Sequence, residues 1–200
     1  GWWPGETPLE VCVGAVLTQN TNWGNVEQPI QRLRDAAALA SGHALLALPG
    51  AELSELIRPA GFLRLTAVRL RNLLRFLDEA CGFDFDALGA QGMDDLRPRL
   101  LAVSGIGPET ADSVLLYALG LPSFVVDAYT RRILHRHAMV PEDIPYHELR
   151  DVFMDVLEPD APFYNEFHAL LVRVAAQWCR ARTPRCAECP LSPFLDGVVA

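Results

Sequence analysis

Lysine is missing from this chain: all seventeen of its basic residues are arginine. Imine-forming chemistry needs an amine nucleophile, and a guanidinium stays protonated in proteins, so only an N-terminal amine is left for such a step. Also missing is any apolar run near the ~18 residues that suggest a bilayer span, and no membrane span is expected. No charged-then-apolar leader of the secretory type stands at the start, although the chain opens abruptly at Gly1-Trp2-Trp3. Strand-period alternation, internal repeats and low-complexity segments are absent as well. The cysteines are read as thiols of a reducing cytoplasm, not as disulfides.

What is present suits a folded protein. Two hundred residues, half of them hydrophobic, make one large domain or two small ones with a sizeable core. The net charge of −8 argues at face value against a nucleic-acid partner. Its distribution argues less strongly. Between Glu142 and Asp160 stand seven acids (Glu142, Asp143, Glu148, Asp151, Asp155, Glu158, Asp160) and one base, Arg150, so this segment carries −6 of the −8. Basic clusters lie elsewhere, at Arg64, Arg69, Arg71 and Arg75, at Arg131, Arg132 and Arg136, and at Arg173, Arg180, Arg182 and Arg185.

The periodicity is helical throughout. Thr7-Pro8-Leu9-Glu10 is a capping-box pattern with proline at the first helical position. The helix it opens, Leu9 to Leu17, is apolar nearly all round. A second helix is expected to about Leu39, with Pro29 near its start or kinking it. Short helices follow around His43–Leu48 and Glu52–Ile57, then a long amphipathic one from Arg64 to Ala80. The region Gly82–Gly92 reads as irregular, and Asp94 or Asp95 as a cap. Further helices are expected near Ala128–His137, His147–Leu157 and Phe163–Arg180. The fold class is all-α.

The stretch from Leu100 to Arg132 organises the rest. Ser104-Gly105-Ile106-Gly107 forms a turn in which two glycines permit positive φ and close backbone approach. Pro108 opens a new helix, and Ala111, Val114, Leu115 and Ala118 form its apolar face. Gly120 and Pro122 end it. A short apolar run then delivers Asp127, eighteen residues past Glu109, at the start of another helix. Taken alone, these residues also describe an ordinary helical corner with an N-cap aspartate.

The hairpin and the spaced aspartate resemble the helix-hairpin-helix DNA glycosylases of the endonuclease III group. The resemblance implies two helical domains with an interdomain cleft: a six-helix domain over residues 20–126, and a second formed by residues 1–19 and 127–200. It also implies that Asp127 is the catalytic carboxylate. The backbone of Ser104, Gly105, Ile106 and Gly107 would hold a DNA phosphate, often beside a monovalent cation, and Arg131 is taken as a further DNA contact. Gln19, in Leu17-Thr18-Gln19-Asn20-Thr21, would enter the gap left by a flipped nucleotide. Phe62 or Leu63 would wedge into the base stack.

A narrower resemblance covers about residues 1–140. Trp2-Trp3-Pro4, the LTQNT sequence, Trp23, GIGPETAD and VVDAY are similar to the endonuclease III-like 3-methyladenine DNA glycosylases. Glu109 stands where bifunctional relatives carry their lyase lysine. Trp2, Trp3, Pro4 and Trp23 would line a pocket whose indole faces attract a flat cationic base.

Cys179, Cys186 and Cys189 follow the C-x6-C-x2-C part of the endonuclease III cluster motif, but Leu195 replaces its fourth cysteine. A 4Fe–4S cluster with Asp196 or an external ligand as fourth, a zinc ion, or a decaying remnant of the site all remain open. Cys12 and Cys81 read as buried free thiols. The expected activity is that of a monofunctional DNA glycosylase of base excision repair, acting as a monomer on damaged double-stranded DNA and releasing 3-methyladenine or another alkylated purine. A lyase-free glycosylase for oxidised or deaminated pyrimidines and a non-catalytic damage-binding module are the alternatives.

Overall fold

The computed structural model describes residues 5–21, 23–58 and 63–195, with the backbone alone for residues 63 and 64. Among these residues there are eleven α-helices and no strand, so the all-α expectation holds. The described residues fall into two compact units, one up to Leu121 and one from Pro122 onward.

In the first unit, α1 (Pro8–Leu17) begins at Thr7, whose hydroxyl accepts from the Glu10 amide at 3.2 Å. Glu10 does not close the expected box on Thr7. Its carboxylate takes the Glu6 amide at 2.7 Å and both arms of the Arg34 guanidinium at 2.7 Å. Those donors hold a buried charge that would otherwise be costly. From Leu9 to Leu17 every residue of α1 is buried, as an all-round apolar helix requires. The structure groups α1 with the hairpin unit, where it packs on α5 and the end of the hairpin.

Helix α2 (Glu27–Asp35) is shorter than expected. Ala37 turns left-handed at φ 53° and a 3-10 turn follows at Ala38–Ala40. Pro29 sits in the first turn of α2, where a proline is tolerated. Then come α3 (Gly42–Ala47), α4 (Gly50–Leu56) and the long α5 (Leu63–Cys81), whose Leu70, Leu73, Leu74 and Leu77 are fully buried. At ~1.5–3 kcal/mol for each buried leucine side chain, this row is the unit's main anchor. The stretch read as irregular contains α6 (Phe85–Gly89), capped by Asp84, which accepts from the Ala87 amide at 2.9 Å. Helix α7 (Met93–Ala102) starts from Gly92, leaving Asp94 and Asp95 in its first turn, not at the cap.

After the hairpin, α8 (Pro108–Ser113) widens into a π-helical turn, Val114–Ala118. Arg97 on α7 grips the fully buried Asp112 on α8 at 2.8 and 3.1 Å, fixing the two hairpin helices to each other. The second unit contains α9 (Ala128–Arg136), α10 (Tyr146–Met154) and α11 (Ala161–Gln177), followed by a loop with short 3-10 turns. Helices α9 and α11 pack together extensively.

Candidate active site

Asp127 is placed by the residues ahead of it. Phe124, Val125 and Val126 are buried. Phe124 stacks on Phe153 with ring centroids 4.1 Å apart and meets Tyr164 and Phe167 edge-on. Arg150 donates to the Ser123 hydroxyl at 3.1 Å. The chain entering α9 is therefore clamped by α10 and α11, and Asp127 has little freedom.

Asp127 is the N-cap of α9. Its Oδ1 accepts from the Thr130 amide at 2.7 Å and the Thr130 hydroxyl at 2.9 Å. Its Oδ2 lies 3.5 Å from Nε2 of His168 on α11, a ring only 3 % exposed. Burial pushes the Asp127 carboxyl up, but the His168 imidazole and then the Thr130 donors outweigh it, holding the group below the usual carboxylate range. The helix-cap reading of this residue is correct, and the cap is also what fixes the carboxylate. Such a group is a weak base and a strong, immobile partner for developing positive charge.

His168 is a residue the sequence reading missed. A signal was available: with Tyr164, Leu171 and Ala175 it lies on the buried stripe of α11, and a polar side chain on such a stripe demands a partner.

In the hairpin, only Gly105 uses positive φ, at +92°. A Cβ there would meet Arg69 Cγ at 2.3 Å. Gly107 is extended at φ −88°, with open space where its Cβ would be. Ile106 is 5 % exposed, packs into the core, and its amide donates to the Val103 carbonyl at 3.0 Å. The hairpin carbonyls are held by side chains: Ser104 accepts from Asn72 at 3.0 Å and Gly105 from Gln19 at 3.0 Å. Helix α8 has Gly107 at its N-cap and no side-chain cap. A helix start without a side-chain cap is a place that suits an external anion. Glu109 lies exposed in that first turn.

Gln19 is tied into the hairpin. Its Nε2 reaches the Gly105 carbonyl and the Thr110 hydroxyl at 3.0 and 2.9 Å, and its Oε1 accepts from Arg69 at 2.9 Å. Trp23 is half-buried against the core. Arg131, one turn beyond Asp127, is half-buried. Trp2, Trp3, Pro4, Phe62, the Leu63 side chain and Asp196 lie outside the described residues.

Several arginines serve the fold itself. Arg71 donates to the Leu48 carbonyl, and Arg185 pairs with Glu188. Arg132 donates to the Cys179 carbonyl at 2.6 Å and lies over the Tyr129 ring. Arg75, Arg173, Arg180 and Arg182 are exposed.

Cys179, Cys186 and Cys189 line one apolar pocket with Ile133, Val174, Trp178 and Leu195. Arg136 donates to Cys179 Sγ at 3.3 Å and to the Arg180 and Ala181 carbonyls at 2.7 and 3.0 Å. Three thiols in an apolar pocket, one facing a guanidinium, supply three of the four donors that an iron–sulfur cluster takes. Among the described residues, no three His, Cys, Asp or Glu groups close tightly enough to hold a single metal ion. Cys12 is buried and Cys81 half-buried, both unpaired with other cysteines. Burial pushes the Cys12 thiol far above its ordinary range, so it is inert.

The family model described as "HhH-GPD superfamily base excision DNA repair protein" matches residues 13–159. A Methanocaldococcus jannaschii protein named "Putative DNA repair glycosylase" is 44% identical over 96% of this chain and 87% of its own length. Endonuclease III of Synechocystis is 29% identical over 98% of this chain and 84% of its own. Among solved structures, the H. pylori 3-methyladenine DNA glycosylase bound to 1,N6-ethenoadenine superposes with a TM-score of 0.76 at 28% identity, covering 88% of each chain. A non-covalent endonuclease III–DNA complex has the same fold, with a TM-score of 0.78 at 23% identity over 96% of this chain and 84% of its own.

Proposed function

Because this chain belongs to the HhH-GPD superfamily of base excision DNA repair proteins, we propose that it is a monofunctional DNA N-glycosylase. It hydrolyses the glycosidic bond of a flipped, damaged base, most favourably 3-methyladenine or another alkylated purine, and leaves an abasic site. The observation that carries the reading is the pinned, ionised carboxylate of Asp127 in a chain without lysine.

The hairpin amides and the N-terminus of α8 would hold a backbone phosphate, which positions the duplex without reading its bases. Gln19, a donor and acceptor beside that anchor, suits the orphaned partner base once DNA replaces its present bonds. As the glycosidic bond breaks, positive charge builds on the sugar. Asp127, held by Thr130 and His168, stabilises that charge and orients the attacking water. An N-alkylated purine is cationic before the bond breaks and departs as a neutral base, so the site needs no strong acid. The half-buried Trp23 supports the same choice, since an indole face attracts a cation. Cys179, Cys186 and Cys189 would hold a 4Fe–4S cluster. When bound, it would brace the loop after α11.

Similarity to the H. pylori enzyme supports the alkylated-purine reading. Similarity to the Synechocystis endonuclease III over nearly the whole chain keeps an oxidised or deaminated pyrimidine as the second substrate class. Base release from a panel of duplexes, each carrying one lesion of either kind, decides between them. Excision of alkylated purine alone is the expected result. Excision of pyrimidine lesions alone would overturn the substrate assignment, and no release from any duplex would overturn the enzymatic one.

A further inference from the structure

We infer that His137 is the fourth ligand of the three-cysteine pocket, completing a Cys3His set for an iron–sulfur cluster. This rests on the cluster reading of Cys179, Cys186 and Cys189. Leu195 stands at the place of the missing thiol and has no donor atom. The pocket nevertheless has a donor on its wall, because His137 lines it together with the three cysteines and Leu195.

The ring is set for ligation. His137 is the C-cap residue of α9, and its Nδ1 lies 3.3 Å from the carbonyl of Phe194, the residue before Leu195. A carbonyl only accepts, so Nδ1 carries a proton, and in the neutral ring Nε2 is the nitrogen left for a metal. Metal-bound imidazoles adopt this arrangement: one ring nitrogen donates to a backbone carbonyl, fixing the tautomer, while the other faces the metal. The neighbouring Arg136 ties the same helix end to Cys179 Sγ and to the Arg180 and Ala181 carbonyls. Two consecutive residues of α9 thus fasten it to the cysteine loop, one near the first cysteine and one beside the vacated fourth position.

Among the described residues, no group of three or more His, Cys, Asp or Glu side chains gathers closely enough to hold one metal ion. A four-iron cube takes one ligand at each iron, so its ligands stand apart from one another. Imidazole carries no negative charge, so a histidine in place of one thiolate makes the cluster easier to reduce.

The test uses the full chain prepared anaerobically, with iron and acid-labile sulfide measured. The cluster is then reduced with dithionite and examined by pulsed electron paramagnetic resonance. A directly bound imidazole gives a strong nitrogen coupling. That coupling is expected in the wild type and lost in His137→Ala. His137→Cys should retain iron and sulfide, lose the coupling and shift the reduction potential downward. A cluster present without nitrogen coupling in the wild type, or with the same coupling in either variant, overturns the assignment of His137 and leaves the cluster standing. Zinc in place of iron, or no iron and sulfide, overturns the cluster reading and this inference with it. If His137→Ala does not fold, the wild type and His137→Cys still decide.

Discussion

Asp127 makes two kinds of bond that can be separated by substitution. Asparagine caps a helix about as well as aspartate, so Asp127→Asn should keep the Thr130 bonds and the fold while removing the charge. Base excision under single-turnover conditions should fall by ~10²–10³-fold or more, the usual loss for a transition-state electrostatic group, while binding to abasic-analogue DNA persists. Turnover near the wild-type rate would end the assignment. His168 makes a second test through pH. The carboxyl sits low because the imidazole and Thr130 overcome the upward push of burial. A depressed carboxylate adds stability above its unfolded pKa, and loses it as pH falls through the folded one. Activity requires the ionised form, so the acid limb of kcat/KM should lie below the usual carboxylate range. In His168→Gln burial remains and its main opponent is gone, so the limb should move to higher pH and acid unfolding should begin at higher pH too. An unmoved limb, with the variant folded, would show that His168 only packs. Asp127 was legible because its apolar lead-in and spacing are local. His168 was not, since its pairing is made by the packing of α11 on α9.

The helices were largely legible from apolar spacing, and the misses have local causes. The stretch after Ala36 ends in a left-handed residue that periodicity cannot register, and α6 is too short to show a period. Gln19 was read as a residue that enters the gap left by a flipped nucleotide, and its bonds to Gly105, Thr110 and Arg69, which lie 86, 91 and 50 residues away, carry no local signal in the sequence. The hairpin looked symmetric in sequence, with two equivalent glycines, and the structure separates them. Gly105→Ala meets both a positive φ and the Arg69 stem. It should lower stability by ~1–3 kcal/mol, the scale of local backbone strain. Gly107→Ala meets neither, so its stability should stay within ~0.5 kcal/mol of wild type. Any loss of DNA binding in Gly107→Ala then reports the anchor itself. It should weaken lesion and undamaged duplexes alike, because a phosphate contact carries no sequence information. Denaturation curves and binding isotherms for both variants check this. Unchanged affinity in Gly107→Ala would argue that the phosphate is held elsewhere, and selective loss of lesion binding would argue for a base contact.

Across the whole molecule, charge and composition restrict the chemistry more than any single motif. The −8 net charge does not exclude DNA, because the seven acids between Glu142 and Asp160 are all exposed on one stretch around α10, and Asp160 serves as the cap of α11. The absence of lysine acts on the reaction itself. Strand cleavage by β-elimination requires an amine that attacks C1′ and forms an imine, which borohydride reduces to a stable protein–DNA adduct. On the proposed reading, the place of that amine falls in the first turn of α8, where Glu109 stands. A carboxylate cannot form an imine, and its negative charge is stabilised where it stands, at a helix N-terminus. None of the seventeen arginines can substitute while protonated. Lesion DNA incubated with this chain should therefore remain intact and bear abasic sites, nicked only after alkali or an added endonuclease. Borohydride should trap nothing. Introducing the amine, as Glu109→Lys, should produce a trappable adduct if this position faces the opened sugar. A trapped adduct from the unsubstituted chain that survives blocking of its N-terminal amine would overturn the monofunctional assignment, whatever base proves to be released.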